Sequence, residues 1–372
     1  MPAEEQTKPL FIGSEIYRGS SYGDWHPLRV PRVSTVMDLS RALGWLPRSQ
    51  YIPSPRAKPA ALEMWHDADY LAVLQRAERD GKVTAEERDR YNIGTTSNPI
   101  FPEMFRRPAT GAGAVLLAGE LLKSPSMIYA PGGGTHHGLR DRANGFCYLN
   151  DPVLAILGLR RTGLNRVAYI DIDAHHPDGV ESAFGQDEDV LMISTHEENR
   201  WPFKGLIEDR GKGTLFNLPL MRGTNDDEMA LILDQLILNR IQSFKPDAVV
   251  LQCGADAVLE DPLSRLALSN NAHWQVVSAL MDISDRLLVL GGGGYNPWSV
   301  GRLWTGVWAT LRGLDIPTRL PPEGEAVLRA LEWRDHRMGR APEEHWFTTL
   351  RDAPRNGAIR PELRSRLAQL SQ

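Results

Sequence analysis

Short apolar runs alternate along the chain with longer stretches whose apolar residues recur at helical spacing. The apolar runs predict buried strands at residues 127–130, 167–173, 190–194, 247–252 and 287–290. The helical spacing predicts helices at residues 112–123, 152–161, 224–244, 271–285 and 298–311. Because strands and helices alternate, we expect an α/β fold with an open, mostly parallel sheet covered by helices on both faces.

The two ends of the chain follow this alternation less clearly. The region before residue 110 predicts loops and helices that decorate the sheet, with a proline-containing surface connection at residues 53–59. Pro321 and Pro322 predict a turn into a charged, helical C-terminal segment. No shift in composition marks a boundary, so we predict a single domain over residues 1–372.

Composition narrows the class of protein. The 372 residues are 42% hydrophobic and 24% charged, which is typical of a soluble globular protein, and the net charge of −5 argues against a nucleic-acid partner. No run approaches the ~20 apolar residues of a membrane span, and the polar residues 1–9 lack a signal core. With only Cys147 and Cys253, the chain is expected in a reducing, cytoplasmic setting and cannot build a cysteine-rich zinc site.

One predicted strand ends in an unusual concentration of polar side chains. Asp171, Asp173 and His175 alternate at the end of the strand at 167–173, and Asp178 follows. On an extended chain these alternate side chains point to the same side, so one metal ion can contact both Asp173 and His175. An isolated Asp-x-His pair is more often a helix cap beside a solvated histidine, but this repeated pattern favours a metal site.

Three other predicted strands are also followed by side chains suited to catalysis or metal binding. His136 and His137 follow a glycine run, Asp256 follows the strand at 247–252, and Tyr295 follows four glycines at 291–294. Because ligands bind outside the carboxyl ends of parallel strands, we expect these groups to converge at one edge of the sheet. One imidazole and two carboxylates would leave coordination positions open, as a catalytic metal ion that holds a water requires.

In this order, these motifs resemble those of the zinc-dependent histone deacetylase family, which includes acetoin-utilisation-type proteins and acetylpolyamine amidohydrolases. The stretches at 26–32, 91–94 and 211–219 resemble its bacterial deacetylase-like branch, and the resemblance covers about residues 10–365. It implies an arginase-related α/β fold and one zinc ion per chain, with iron(II) as an alternative. It also implies a potassium ion near the zinc, bound by the carbonyl groups of Asp171, Asp173 and His175 with Ser194 and Thr195 nearby.

The resemblance also implies a role for each site residue. Asp173, His175 and Asp256 would hold the metal ion. His137 would act as general base and then as general acid, His136 would tune its charge, and Tyr295 would donate a hydrogen bond to the developing oxyanion. Asp171 and Asp178 would fix the tautomers of the two histidines.

Further residues are implied as substrate contacts. Phe146 would form one wall of a narrow channel and Trp201 the other, where a second phenylalanine is usual; Asn92 stands where many members have a rim aspartate. The remaining implied contacts are Gly145, Leu263, Gly293 and Gly294. Arg32 resembles the arginine of an internal cavity proposed for acetate exit, and Pro177 replaces a smaller residue in a turn.

The function implied is hydrolysis of an Nε-acyl lysine amide in a protein or peptide, which releases the amine and a short carboxylic acid. A first alternative is hydrolysis of small acylated amines such as acetylpolyamines, although no large insertion precedes the histidine pair. A second alternative is a non-catalytic acyl-lysine or partner-binding module. The presence of both His137 and Tyr295 favours an enzyme over such a module. The sequence predicts neither the acyl preference nor the oligomeric state.

Overall fold

The computed structural model describes residues 8–333 and 341–371 of the chain. Eight strands form one sheet in the order β2-β1-β3-β8-β7-β4-β5-β6, and every neighbouring pair is parallel. The strands are β1 Leu10–Gly13, β2 Tyr51–Pro53, β3 Ser126–Ala130, β4 Val167–Asp171, β5 Val190–Glu197, β6 Leu215–Leu220, β7 Ala248–Gln252 and β8 Arg286–Leu290. The predicted open parallel α/β sheet is thus confirmed.

Helices connect the strands and cover the sheet. In the described part of the chain, three short three-ten or π-helical stretches supplement them, at Pro27–Arg29, Arg48–Gln50 and Leu233–Leu238. The α-helices are α1 Ile16–Gly19, α2 Val33–Ala42, α3 Pro59–Leu62, α4 Ala68–Asp80, α5 Ala85–Tyr91, α6 Arg106–Leu121, α7 Asp151–Arg161, α8 Asp178–Phe184, α9 Asp226–Ile232, α10 Asn239–Phe244, α11 Asn270–Ile283, α12 Pro297–Leu311, α13 Pro322–Arg329, α14 Glu344–Thr348 and α15 Pro361–Ser371. None of the helices in the described part of the chain is long and apolar enough to cross a membrane.

The sheet has an apolar core on each of its faces. Ala168 and Ile170 of β4 belong to one cluster of buried residues, whereas Val167 and Tyr169 belong to the other. Successive side chains of a strand point to opposite faces, so a strand covered on both faces must be apolar throughout. This explains why the central strands were visible in the sequence as continuous apolar runs.

Three strands differ from the sequence-based expectation. β1 and β2 lie in the region before residue 110, which we predicted to hold only loops and helices; that expectation was wrong there. β6 also went unpredicted, because Asn217 and Pro219 interrupt its apolar pattern. β2 and β6 are the two edges of the sheet, where short strands and proline are tolerated.

The structure confirms the predicted helix at 224–244, with its N-terminal cap, and adds a π-helical stretch in its middle. Asn225 accepts a hydrogen bond from Glu228 N, and the Glu228 side chain accepts one from Asn225 N, so α9 begins with a capping box. A π-helical stretch then joins α9 to α10. Residues 1–7 of the predicted polar N-terminus lie outside the described residues. So do residues 334–340 of the predicted charged C-terminal segment.

The four strands that carry the chemistry are neighbours at the centre of the sheet and end level with one another. Ala130 of β3 pairs with Leu290 of β8, Leu290 pairs with Gln252 of β7, and Gln252 pairs with Asp171 of β4. The loops that follow these strands therefore leave the sheet side by side, at its carboxyl edge.

The C-terminal segment braces one of these loops. Arg302 of α12 forms a buried ion pair with Asp352, whose Oδ1 lies 2.7 Å from Arg302 Nη2. Arg355 pairs with Glu260, which precedes Asp261 in the loop after β7. Asp261 Oδ2 in turn accepts a hydrogen bond of 2.7 Å from Tyr295 N. The far end of the chain is thereby connected to the candidate site.

Candidate active site

Asp173, His175 and Asp256 come together beyond the ends of β4 and β7. His175 Nδ1 lies 2.8 Å from Asp256 Oδ2 and 3.3 Å from Asp173 Oδ1, and all three residues are buried. One ligand atom from each residue lies within 4.8 Å of the other two. Backbone groups orient the carboxylates, since Gly293 N donates to Asp173 Oδ2 and Ala174 N to Asp256 Oδ1.

The charges of this cluster fit a divalent cation. Among the described residues, no lysine or arginine forms an ion pair with Asp173 or Asp256. Burial and the neighbouring Asp173 raise the pKa of Asp256, and the two carboxylates outweigh the opposing effect of burial to raise the pKa of His175 to about 10. A proton on His175 therefore compensates buried negative charge that a metal ion would neutralise more fully.

Glycines are required around the cluster because backbone lies against the carboxylates. A Cβ atom on Gly293 would lie 2.0 Å from Asp256 Oδ2, and one on Gly254 would lie 2.1 Å from Asp173 Oδ2. Any side chain at either position would displace a carboxylate oxygen of the cluster. The glycine run after β8 thus lets the backbone approach the carboxylates closely.

His136 and His137 form a pair beside this cluster, and each has its own carboxylate. His136 Nδ1 lies 2.8 Å from Asp171 Oδ2, and His137 Nδ1 lies 2.8 Å from Asp178 Oδ1. Carboxylates accept hydrogen bonds, so both Nδ1 atoms carry a proton and both Nε2 atoms face the site. The two Nε2 atoms are 3.0 Å apart.

The two histidines differ in their affinity for a second proton. Burial would lower the pKa of His136, but the charges of Asp171 and Asp173 outweigh it and raise that pKa to about 9. Burial and the adjacent positive charge of His136 lower the pKa of His137 to about 3. At neutral pH the pair consists of a charged His136 and a neutral His137 whose Nε2 can accept a proton.

The carboxylates that orient the histidines are themselves held in place. Asp171 accepts hydrogen bonds from Tyr169 Oη at 2.6 Å and from Asp173 N at 3.0 Å. Asp178 accepts one from Asn144 Nδ2 at 3.1 Å, and Lys204 Nζ lies 3.7 Å from its Oδ2. Nothing in the sequence pattern indicated Lys204, because it lies on an irregular loop.

Tyr295 lies on the other side of the cluster, between two cavities. Its ring centroid is 6.1 Å from that of Phe146, and its backbone is held by Asp261. Burial, together with the negative charges of Asp256 and Asp173, raises the pKa of the Tyr295 phenol well above 10. The hydroxyl therefore stays protonated at neutral pH and can donate a hydrogen bond.

A cavity of about 780 Å³ leads from the surface to His137, His175 and Tyr295. Phe146, Trp201, Leu263 and Asn92, four of the predicted substrate contacts, line it. The Trp201 ring lies 4.6 Å from the His137 ring, and Gly145, whose φ is +52°, leaves the space that this indole occupies. We call this cavity the outer channel.

Two of the implied substrate contacts have other partners. The Asn92 side chain donates a hydrogen bond to Ala143 O, so its amide stabilises the surrounding loops as well as lining the channel. Ala255 and Val300 fill the space around Gly294, which lines neither of the cavities described here. The outer channel also includes Arg88, Arg200 and the largely exposed Phe203, none of which the sequence pattern indicated as contacts.

A second cavity, of about 50 Å³, lies on the inner side of the same residues. It shares His137, Gly145, Phe146 and Tyr295 with the outer channel and also touches Asp173 and His136. Arg32 lines this inner cavity. Arg107 of α6 lines it too, although its sequence context gave no sign of that.

The parallel α/β sheet brings three groups to its carboxyl edge: a buried Asp-His-Asp cluster, a histidine pair held by carboxylates, and a tyrosine. This combination is typical of a class of hydrolytic enzymes. The profile of the Histone deacetylase domain matches residues 26–311. The chain belongs to the histone deacetylase family and is a hydrolase of the deacetylase type.

Similar proteins come from bacteria and from animals. The chain is 33% identical over 328 residues to Acetoin utilization protein AcuC of Bacillus subtilis (strain 168), which covers 84% of each chain. It is 34% identical over 309 residues to Histone deacetylase 1 of Homo sapiens, covering 81% of this chain and 64% of that protein. The crystal structure of an HDAC homolog from Aquifex aeolicus superposes with a TM-score of 0.94 at 34% identity, over 98% of this chain and 100% of that one.

Proposed function

We propose that this chain hydrolyses a short Nε-acyl amide on a lysine side chain of a protein or peptide, with one zinc ion as cofactor. The observation that carries the proposal is the buried Asp173-His175-Asp256 cluster, which lies at the base of the outer channel between a histidine pair and a phenol. A channel that ends at such a cluster suits a long, slender acyl-lysine side chain.

Zinc fits the donor set, because two carboxylates and one imidazole are hard or borderline ligands and leave positions for water and substrate. Asp173, His175 and Asp256 would hold it, and bound there it would supply Lewis-acid polarisation of the acyl carbonyl and a lowered pKa for a water molecule. Iron(II) is the alternative occupant, and a potassium ion near Ser194 and Thr195 is proposed from the family resemblance alone.

Side chains of this protein would carry out the proton transfers of the reaction. Neutral His137 accepts a proton from the attacking water at Nε2 and returns it to the leaving amine, while Asp178 keeps its ring in the required tautomer. His136, charged and held by Asp171, stabilises the negative charge that develops nearby. Tyr295 donates its hydroxyl hydrogen bond to the oxyanion.

The outer channel favours lysine in a polypeptide over a polyamine. Its lining within the described residues contains Arg88 and Arg200 but no aspartate or glutamate, so a polycation would meet no compensating charge. Phe146 and Trp201 offer aromatic surface to the lysine methylenes instead. We further propose that one catalytic domain spans residues 1–372 and acts in the cytoplasm.

The proposal is tested by the steady-state kcat/KM of the zinc-loaded protein on an acetyl-lysine peptide and on an acetylated polyamine, with a hydroxamate chelator as the inhibition control. We expect the peptide to be the better substrate. A polyamine preferred by orders of magnitude would overturn the substrate class. Failure to hydrolyse any acylated amine, with zinc bound, would favour a binding module instead.

A further inference from the structure

The inner cavity lies where the acyl group of a substrate would point. It shares His137, Gly145, Phe146 and Tyr295 with the outer channel as lining residues, and Asp173 forms part of its wall. A lysine that enters by the outer channel and presents its amide to the metal cluster must direct its acyl group away from the entrance. A volume of about 50 Å³ accommodates only a few atoms beyond the acyl carbonyl.

Two guanidinium groups face this small space without any carboxylate partner. Arg107 is 8% exposed, and its side chain makes one hydrogen bond, from Nη1 to Ser20 O at 2.8 Å. Arg32 donates from Nη1 to Gly292 O, and its buried Nε has no hydrogen-bond partner among the described residues. In the described parts of the chain, neither arginine has a carboxylate oxygen within 4.0 Å.

The two guanidinium groups lie against aromatic faces, and the one carboxylate in the cavity wall, that of Asp173, belongs to the metal cluster. The Arg107 guanidinium lies 5.2 Å from the ring centroid of Tyr17 and 5.3 Å from that of Tyr22, and Arg32 lies 5.4 Å from that of Trp304. Burial raises the pKa of Tyr17, so its phenol stays neutral. Burial and the positive charge of Arg107 both lower the pKa of Arg32.

A second buried carboxylate, behind the cavity wall, is already engaged in hydrogen bonds. Asp151 lies behind Gly133 and accepts hydrogen bonds from Gly134 N at 2.7 Å and from Thr135 N at 2.9 Å. It forms no ion pair with Arg32 or Arg107. Two buried cations that share one cavity are unfavourable unless an anion enters it, because buried charges need a compensating partner.

We propose that the inner cavity selects short acyl groups that end in a carboxylate, such as succinyl, and that Arg107 is the specificity-determining residue with Arg32 beside it. This inference rests on the proposed deacylase function. Hydrolysis adds one water across the amide: its hydroxyl goes to the acyl carbon, its proton to the lysine nitrogen, and the C–N bond breaks to release succinate. A guanidinium pairs with the distal carboxylate through two parallel hydrogen bonds.

The test compares peptides that carry acetyl, butyryl or succinyl lysine, because butyryl and succinyl have the same number of carbon atoms and differ in the terminal charge. We expect the wild-type kcat/KM for succinyl to exceed that for butyryl at least ~10-fold, since a site built for a charged group discriminates strongly against an apolar one. Equal rates, or faster hydrolysis of butyryl, would overturn the inference.

Variants then assign the preference to the cavity. Arg107→Gln should lower the succinyl-to-butyryl ratio at least ~10-fold, and Arg107→Lys, which keeps the charge, should retain part of it. Arg106→Gln is the matched control, because the adjacent Arg106 is partly exposed and pairs with Glu78. An unchanged ratio in a folded Arg107→Gln protein would contradict the assignment, and the wild-type ratio remains decisive if that variant does not fold.

Two further outcomes separate this inference from the proposed function. Hydrolysis of acetyl-lysine peptide without any preference for succinyl would refute the acyl selectivity and leave the deacylase function intact. Calorimetric titration with succinate measures the cavity without turnover, and we expect binding that Arg107→Gln weakens. Succinate binding without cleavage of the succinyl peptide would mean a product site only and would also overturn the inference.

Discussion

His136 and His137 point their Nε2 atoms at each other across 3.0 Å. Because both Nδ1 atoms donate to carboxylates, a proton must lie between the facing Nε2 atoms, or their lone pairs would repel. The pKa values of about 9 for His136 and about 3 for His137 assign that proton to His136. The geometry therefore gives two chemically identical neighbours different charges, and the His137 Nε2 lone pair accepts the hydrogen bond from His136 until the attacking water replaces that donor.

Loss of the Tyr295 hydroxyl should slow the reaction without emptying the metal cluster. Tyr295→Phe is expected to lower kcat roughly 10²–10³-fold, because one preformed donor to the oxyanion disappears. Metal content by elemental analysis should stay at the wild-type level. Tyr51→Phe, on the edge strand β2, serves as the control. Unchanged kcat in Tyr295→Phe would refute the assigned role.

Zinc should displace a proton when it binds. His175 has its pKa raised to about 10 in the metal-free chain, so it must give up a proton at neutral pH to become a ligand. Calorimetric titrations with zinc in two buffers of different ionisation enthalpy should report release of about one proton per ion, together with a higher Tm. Asp256→Asn should weaken both effects, whereas zinc binding without proton release would contradict this account.

A methyl group at Gly293 should disturb the cluster directly. Its Cβ would lie 2.0 Å from Asp256 Oδ2, so Gly293→Ala is expected to lower zinc affinity roughly 10–100-fold. Gly19→Ala is the matched control, because nothing lies within 4 Å of a Cβ built there. Competition titration with a chromogenic chelator measures both proteins, and equal affinities would contradict the predicted close approach.

Acid should destabilise the fold through His66. Burial lowers the pKa of His66 to about 4, and its Nε2 accepts a hydrogen bond from Asn150 N while Nδ1 faces Arg140 O. The unfolded chain binds a proton at this histidine below pH ~6.5 and the folded chain does not, so stability falls as pH drops from 6.5 towards 4.

Between pH 7 and pH 5 this histidine alone should cost about 2 kcal/mol of unfolding free energy. Denaturant titrations at the two pH values should show a smaller difference for His66→Gln than for wild type. His345→Gln, at a partly exposed position, provides the comparison. An identical pH dependence in wild type and His66→Gln would show that His66 is not the group responsible.

The central strands were predictable because burial on both faces leaves a continuous apolar run, as at β4 and β7. β1 and β2 were not, because strands of four and three residues show no usable period. β6 was missed because its edge position tolerates polar and proline residues that a central strand would exclude.

The metal cluster was predictable for a related reason. Parallel strands place their carboxyl ends together, so polar residues after β4 and β7 had to meet. Arg107 shows the limit of such reasoning. It follows Arg106 at the start of α6, and only the packing of that helix decides which guanidinium faces the inner cavity and which faces Glu78.

Because Arg355 lies near the C-terminus, its ion pair with Glu260 can form only late during synthesis of the chain. Asp261, next to Glu260, holds the backbone of Tyr295, yet Arg355 leaves the ribosome long after every strand of the sheet has emerged. A nascent chain can therefore assemble its sheet and its metal ligands before the brace behind Tyr295 exists. A message truncated ahead of codon 355 would yield a protein with every proposed catalytic and metal-binding residue but without the ion pair to Glu260.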